Sequence, residues 1–234
     1  EDCINSDKIA AVIADGLMRN KRIQTVKIIN STASHVSLGS IIYNLAFSSS
    51  IRRIVFKTCR GTPSASFLDQ LQKFLSINST IDTLILEDMF SANASLGGDF
   101  YKSLGANLSL RTLSLSTNSK YLVANNKGLS DGDALMLGNA VAINAHKGGA
   151  LINLYLANCL SQEGLANFTS SIFYSDSLLE KWYGTQLSSA NNSTINFESL
   201  KKNYICKIKE LDLEGTVVRT DFKLSLWNKI KDKA

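Results

Sequence analysis

Residues 106–118, ANLSLRTLSLSTN, hold the pattern from which the fold is read. Within them Leu110, Leu113 and Leu115 take the first, fourth and sixth places of LRTLSL. The spacing between the last two is the period of a strand, whose alternate side chains share a face. The same three places are apolar in IQTVKI from Ile23, IRRIVF from Ile51, IDTLIL from Ile81, LINLYL from Leu151 and IKELDL from Ile208. A degenerate copy, LLEKWY from Leu178, keeps only its first and last apolar places. The starts fall at 23, 51, 81, 110, 151, 178 and 208, so the gaps are 28, 30, 29, 41, 27 and 30 residues.

Between these runs the apolar period changes to that of a helix. Ile9, Val12, Ile13 and Leu17 form one expected helical face, and Phe67, Leu68, Leu71, Phe74 and Leu75 a second. Ala134, Leu137, Val141 and Ala145 form a third, and Leu165, Phe168 and Ile172 part of a fourth. Ser64, Asp131 and Ser161 stand where N-caps are expected. Strands that alternate with helices pair in parallel, because each returns through a crossover.

A strand-plus-helix unit of about 20–29 residues is the period of leucine-rich repeats. The sequence therefore predicts an α/β leucine-rich-repeat solenoid, a β/α horseshoe with a parallel sheet on the concave face and helices on the convex face. Residues 1–234 read as a single domain of about seven repeats with a lengthened unit at 110–150. The start Glu1-Asp2-Cys3, without Met, suggests a processed product, a fragment or a truncated array. The extra length centres on residues 117–130, which should bulge from the rim and carry the apolar triplet Tyr121, Leu122 and Val123.

The ninth place of each unit reads Ser31, Cys59, Met89, Asn118, Cys159, Gln186 and Thr216. Asn or Cys is typical there; a small polar side chain inside the bend can satisfy backbone groups. Cys3 fits the ninth place of an earlier unit, and only Cys206 is off-pattern. Pairing among cysteines on rungs so far apart in the chain is not expected, so reduced thiols and a cytoplasmic location are. Sequons begin at Asn30, Asn78, Asn93, Asn107, Asn167, Asn191 and Asn192. Asn78 and Asn107 stand three residues before their strands, where Asn can end a helix in the left-handed conformation.

The composition, 44% hydrophobic with 1 Pro, fits a chain with a sizeable core. No run of 18 apolar residues exists, so no integral membrane segment is expected, and no signal peptide opens the chain. The net charge of +5 is spread along the length without a nucleic-acid-binding motif, which argues against nucleic acid as a partner. His35 and His146 lie in no metal spacing and are expected at the solvated surface; Gly97-Gly98 and Gly148-Gly149 read as turns. No catalytic constellation, metal set or cofactor motif is present, so catalysis is not expected.

The surface left for discrimination is the concave face. Places three, five and seven of each strand should point outward from the core. That stripe is basic at one end, with Lys27, Arg53 and Lys57, carries Tyr155 and Trp182 further along, and ends acidic with Glu210, Asp212 and Glu214. Aromatics and Arg are enriched at binding hot spots, so these eight residues are the expected contacts for a protein partner.

The units ANLSLRTLSLSTN and LINLYLANCLSQEGLANF resemble ribonuclease-inhibitor-type leucine-rich repeats over nearly the whole chain. FLDQLQKFLSINSTIDTLIL and FYKSLGANLSLRTLSLSTN, with the long unit from Leu110 followed by a short one, further resemble the repeat domain of the CARMIL family, linkers of actin capping protein and myosin-I. That resemblance implies an interaction scaffold whose partners are actin-assembly factors, and it carries over no catalytic residue. The Leu178 rung, with Lys181 at an apolar place, departs from the pattern. Two alternatives stay open: a GTPase-activating repeat protein, for which Arg60 is the tempting loop arginine, and a secreted receptor-like array.

Overall fold

The computed structural model describes residues 7–31, 33–58, 64–90, 95–117, 128–173, 208 and 210–212. Along them run α1 (Asp7–Arg19), β1 (Thr25–Ile29), α2 (His35–Leu45), β2 (Arg53–Lys57), α3 (Ala65–Ile77), β3 (Thr83–Glu87), α4 (Gly98–Ala106), β4 (Thr112–Ser114), α5 (Asp131–His146), β5 (Asn153–Tyr155), α6 (Gln162–Phe173) and β6 (Glu210–Asp212). The strands form one parallel sheet in the order β1-β2-β3-β4-β5-β6. Its register is that of the repeat: Val26, Ile54, Leu84, Leu113, Leu154 and Leu211 stand side by side.

Each rung buries its strand against the helix that follows or precedes it. Ile54, Phe56, Leu84, Leu86, Leu113 and Leu154 have no exposed surface, and neither do Phe67, Leu71, Phe74 and Phe168 on the helices. Truncating one such leucine to alanine costs about 2–5 kcal/mol. The fold is thus a leucine-rich-repeat-type α/β solenoid in which each unit supplies one layer of a continuous core.

Four expectations change. First, β5 pairs directly with β6, Asn153 beside Glu210, so the rungs at 151 and 208 are neighbours in the sheet; LLEKWY lies outside the described residues. Lys181 puts a charge at the fourth place, where each of the other copies carries an apolar residue. Second, α1 buries Ala10 and Ala14, with Ile13 and Leu17 partly covered, while Ile9 and Val12 face out at 39% and 74% exposure. Among the described residues α1 packs against α2 on one side only, so its small residues make the close contact. Third, the cap of α5 is Ser130, whose Oγ accepts the Asp133 amide; Asp131 opens the helix. Fourth, His35 is buried at the start of α2, its ring 5.3 Å from that of Phe67.

Ser64 caps α3 as expected, accepting the Phe67 amide at 3.2 Å, and Ser161 accepts the Gly164 amide at 2.8 Å at the start of α6. His146 lies half-buried in the last turn of α5. Cys159 is buried and reduced; its Sγ donates to the Leu115 carbonyl at 2.7 Å, and burial pushes its thiol up to about 12. Cys3, Cys59 and Cys206 lie outside the described residues.

Asn78 and Asn107 do not turn left-handed. They end α3 and α4 with extended backbone, at φ −76° and −75°. The left-handed residues fall instead at the eighth place: Asn30, Thr58, Asp88 and Asn158. Buried, Asn78 and Asn107 form a side-chain ladder. Asn78 Nδ2 donates to the carbonyls of Leu45, Ala46 and Ser48, while its Oδ1 accepts the amides of Thr80 and Ile81. Asn107 Nδ2 donates to Leu75 and Asn78 carbonyls at 2.8 and 2.9 Å, and its Oδ1 accepts the amides of Ser109 and Leu110. Each thus stitches its own turn to the turn before. In the lengthened unit that place is Gly148, and Asn144 reaches in from α5 instead, donating to the Asn107 carbonyl at 2.6 Å. Gly149 makes the room: a Cβ there would meet Asn144 Oδ1 at 2.3 Å. A glycan on Asn78 or Asn107 would need the same buried Nδ2 that holds the ladder.

Candidate functional site

The strand face away from the helices presents the expected rows. Places three form the row Thr25, Arg53, Thr83, Thr112, Asn153 and Glu210, and places five the row Lys27, Val55, Ile85, Ser114, Tyr155 and Asp212. With strands about 4.8 Å apart, Arg53 and Glu210 lie roughly 19 Å from each other across the sheet.

The side chains divide this stripe into three zones. Thr25, Lys27, Ile29 and Arg53 are exposed at the β1–β2 end, and neither Lys27 nor Arg53 has an ion-pair partner among the described residues. Lys57, the third expected cation, pairs with Glu87, Nζ to Oε2 at 2.9 Å. The hydrogen bond Lys57 donates to Glu87, with the negative charge of Glu87, raises the Lys57 pKa. The pair is neutral as a unit, so it separates the cationic end from the middle. There Ser114 donates to Glu87, Asn153 Nδ2 donates to Thr112 Oγ1 at 3.2 Å, and Ser116 Oγ accepts the Ala157 amide. Val55 and Ser114 are buried rather than exposed, although Lys27 in the same row is exposed.

At the far end Tyr155 donates its hydroxyl to Glu210 Oε2 at 2.7 Å. Ionising the phenol would set two anions against each other, so this bond, with some burial, raises the Tyr155 pKa. The contact fixes the ring beside Glu210 and Asp212, a coupling of aromatic and acid that adjacency of rungs 55 residues apart in sequence conceals. The direct pairing of β5 with β6 brings them together. Trp182 and Glu214, the other two expected contacts, lie outside the described residues, as does Arg60. The face offers hydrogen bonds, two free cations and an aromatic–carboxylate pair. Among the described residues no cluster of His, Cys, Asp and Glu has the makings of a metal site, and no helix is long and apolar enough to cross a membrane.

A repeat solenoid with a dipolar strand face defines the class. No protein-family model matches the sequence, and comparison with curated proteins finds no match. Among solved structures the chain is similar to the tropomodulin C-terminal domain of Caenorhabditis elegans, with a TM-score of 0.51 at 13% identity, over 74% of this chain and 98% of that one. At that identity the likeness is one of fold, and it agrees with the leucine-rich-repeat architecture.

Proposed function

We propose that this chain is a non-catalytic protein-interaction scaffold whose partner lies across the concave strands. The observation that carries the reading is the division of one face into a free cationic end at Lys27 and Arg53, a hydroxyl-lined neutral middle, and an anionic end where Tyr155 is held on Glu210. Complementary charge steers encounter and fixes orientation, and a rigid aromatic gives contact area at low entropic cost. The partner class is an actin-assembly factor and the setting cytoplasmic. The CARMIL-like units supply that part of the reading, and a structural neighbour named for tropomodulin is compatible with it.

The test is direct binding of the purified chain to actin and to capping protein. The double variant Lys27→Glu/Arg53→Glu should weaken binding at least about tenfold, with melting unchanged. Reversing Lys73 and Lys102 on the helices should not. Absence of binding to either protein removes the actin setting, and equal binding by the double variant removes the strand face.

A further inference from the structure

The edge of the sheet where helices run into strands carries a second surface. Phe47, Ile77 and Leu108 occupy the ends of three successive helices and are 53%, 48% and 53% exposed. Apolar side chains at mobile loop tips would fold back, but these cannot. Asn78 holds the carbonyls of Ala46 and Ser48, on either side of Phe47. Asn107 likewise holds those of Leu75 and Asn78, flanking Ile77, and Asn144 holds those of Leu104 and Asn107 before Leu108. Each exposed residue is thus fixed by the next rung's asparagine. Tyr43 adds an edge-on ring 5.4 Å from Phe47.

Cations lie along the same edge. Lys21, Arg22, Arg52 and Arg111 are exposed, and none pairs with a carboxylate among the described residues. Backbone bonds align Arg52 and Arg111 in a row with Gln24 and Asp82: Arg52 donates its amide to Gln24, Asp82 to Arg52, and Arg111 to Asp82. The Arg52 guanidinium is anchored on the Ser49 and Ile51 carbonyls. Asp82, half-buried, is the acid in that row. At the opposite rim Asp131 and Glu163 stand in the first turns of their helices, while Asp99 pairs with Lys102 and Asp133 is buried.

We propose that this edge docks on the surface of an anionic lipid bilayer, with Phe47, Ile77 and Leu108 entering the interface and the row of cations at the headgroups. Adjacent helices lie about 8–10 Å apart, so the three apolar residues stand singly with polar backbone between them. A protein interface concentrates its energy in one contiguous desolvated cluster. A bilayer interface accepts separate apolar wedges and draws basic residues to anionic headgroups. The surface is distinct from the strand face and does not depend on it.

The experiment is co-sedimentation of the full chain with vesicles of phosphatidylcholine alone and with about 30% phosphatidylserine, followed by melting of each variant. The wild type should sediment with the anionic vesicles and be released by salt. Arg22→Glu/Arg52→Glu/Arg111→Glu should weaken this at least about 100-fold, at roughly fivefold for each cation lost and more for reversal. Phe47→Ser/Ile77→Ser/Leu108→Ser should weaken it about tenfold or more. Lys27→Glu/Arg53→Glu should weaken it less than the edge variant does, because Lys27 and Arg53 project from the strand face. Should the triple serine variant melt early, Leu108→Trp replaces it, and its emission should shift to the blue on anionic vesicles. Failure of the wild type to sediment overturns the proposal, as does an unshifted Trp at 108. Equal sedimentation by a stable serine variant also overturns it, leaving an edge that merely attracts anions such as an acidic protein.

Discussion

The two edges of the sheet are built by different rules. Where helices enter strands, a side chain bridges every described pair of turns from Ser48 onward: Asn78 to the turn of Ser48, Asn107 to that of Asn78, and Asn144 to that of Asn107. Where strands enter helices, backbone bonds recur from rung to rung, as in Asn30 to Lys57, Thr58 to Glu87 and Thr117 to Ala157, and the side-chain bonds beside them, such as Cys159 to Leu115 and Asn167 to Asp131, repeat no single residue type. Insertion falls at the edge without the asparagine ladder. In the lengthened unit the chain leaves the sheet after Thr117 and is back beside it at Gly128, where a Cβ would lie 2.9 Å from Thr117 Oγ1. At the ladder edge the same unit had to replace its asparagine with Asn144 and set a glycine in front of it.

The largest expected effect breaks the ladder at its centre. Asn107→Ala leaves two buried carbonyls and two amides short of a partner and should cost about 3 kcal/mol, or about 6–12 °C in melting temperature. Calorimetry showing a loss under about 2 °C would make the ladder ornamental. Gly149→Ala should cost about 2 kcal/mol through the collision with Asn144. Adding Asn144→Ala should then cost less than it does alone, since the clash is gone, and strict additivity would contradict the contact.

Cys159 sharpens the comparison from the rim side. Its thiol should resist a bulky reagent at pH 8 in the native protein and react once the chain is denatured. Its folded pKa is raised to about 12 by burial, above the unfolded value. The neutral thiol is therefore favoured by folding, and that contribution is complete below the unfolded pKa of about 8.5. It is lost as pH rises from there toward 12, and stability of wild type and Cys159→Ala should converge in that window. Smaller still, Lys57→Ala should cost below about 1 kcal/mol, because the pair with Glu87 is half in solvent. Smallest of all, deletion of residues 119–127 should move melting by less than about 2 °C. A clear drop would mean that Tyr121, Leu122 and Val123 pack on the solenoid.

The strands were legible residue by residue. Ile54, Leu84, Leu113 and Leu154 fall in one register because the first, fourth and sixth apolar places have no other way to be buried together. The free cations Lys27 and Arg53 were readable from the alternation. The ladder was half legible: Asn20, Ser48, Asn78 and Asn107 recur three residues before their strands, yet the spacing does not say whether a polar side chain turns inward. The exposed edge was missed, since Phe47 and Ile77 look like core residues to any pattern of apolarity.

The sequence by itself determined the unit, the parallel pairing and the buried row, because these follow from local periodicity and the need to cover an apolar face. Only the tertiary structure decided that the 151 and 208 rungs adjoin, that Lys57 is spent on Glu87, that Tyr155 is held by Glu210, and that Asn144 replaces the asparagine missing at 148. Each of those depends on which rungs become neighbours and how closely two backbones approach, distances across space that spacing along the chain does not encode.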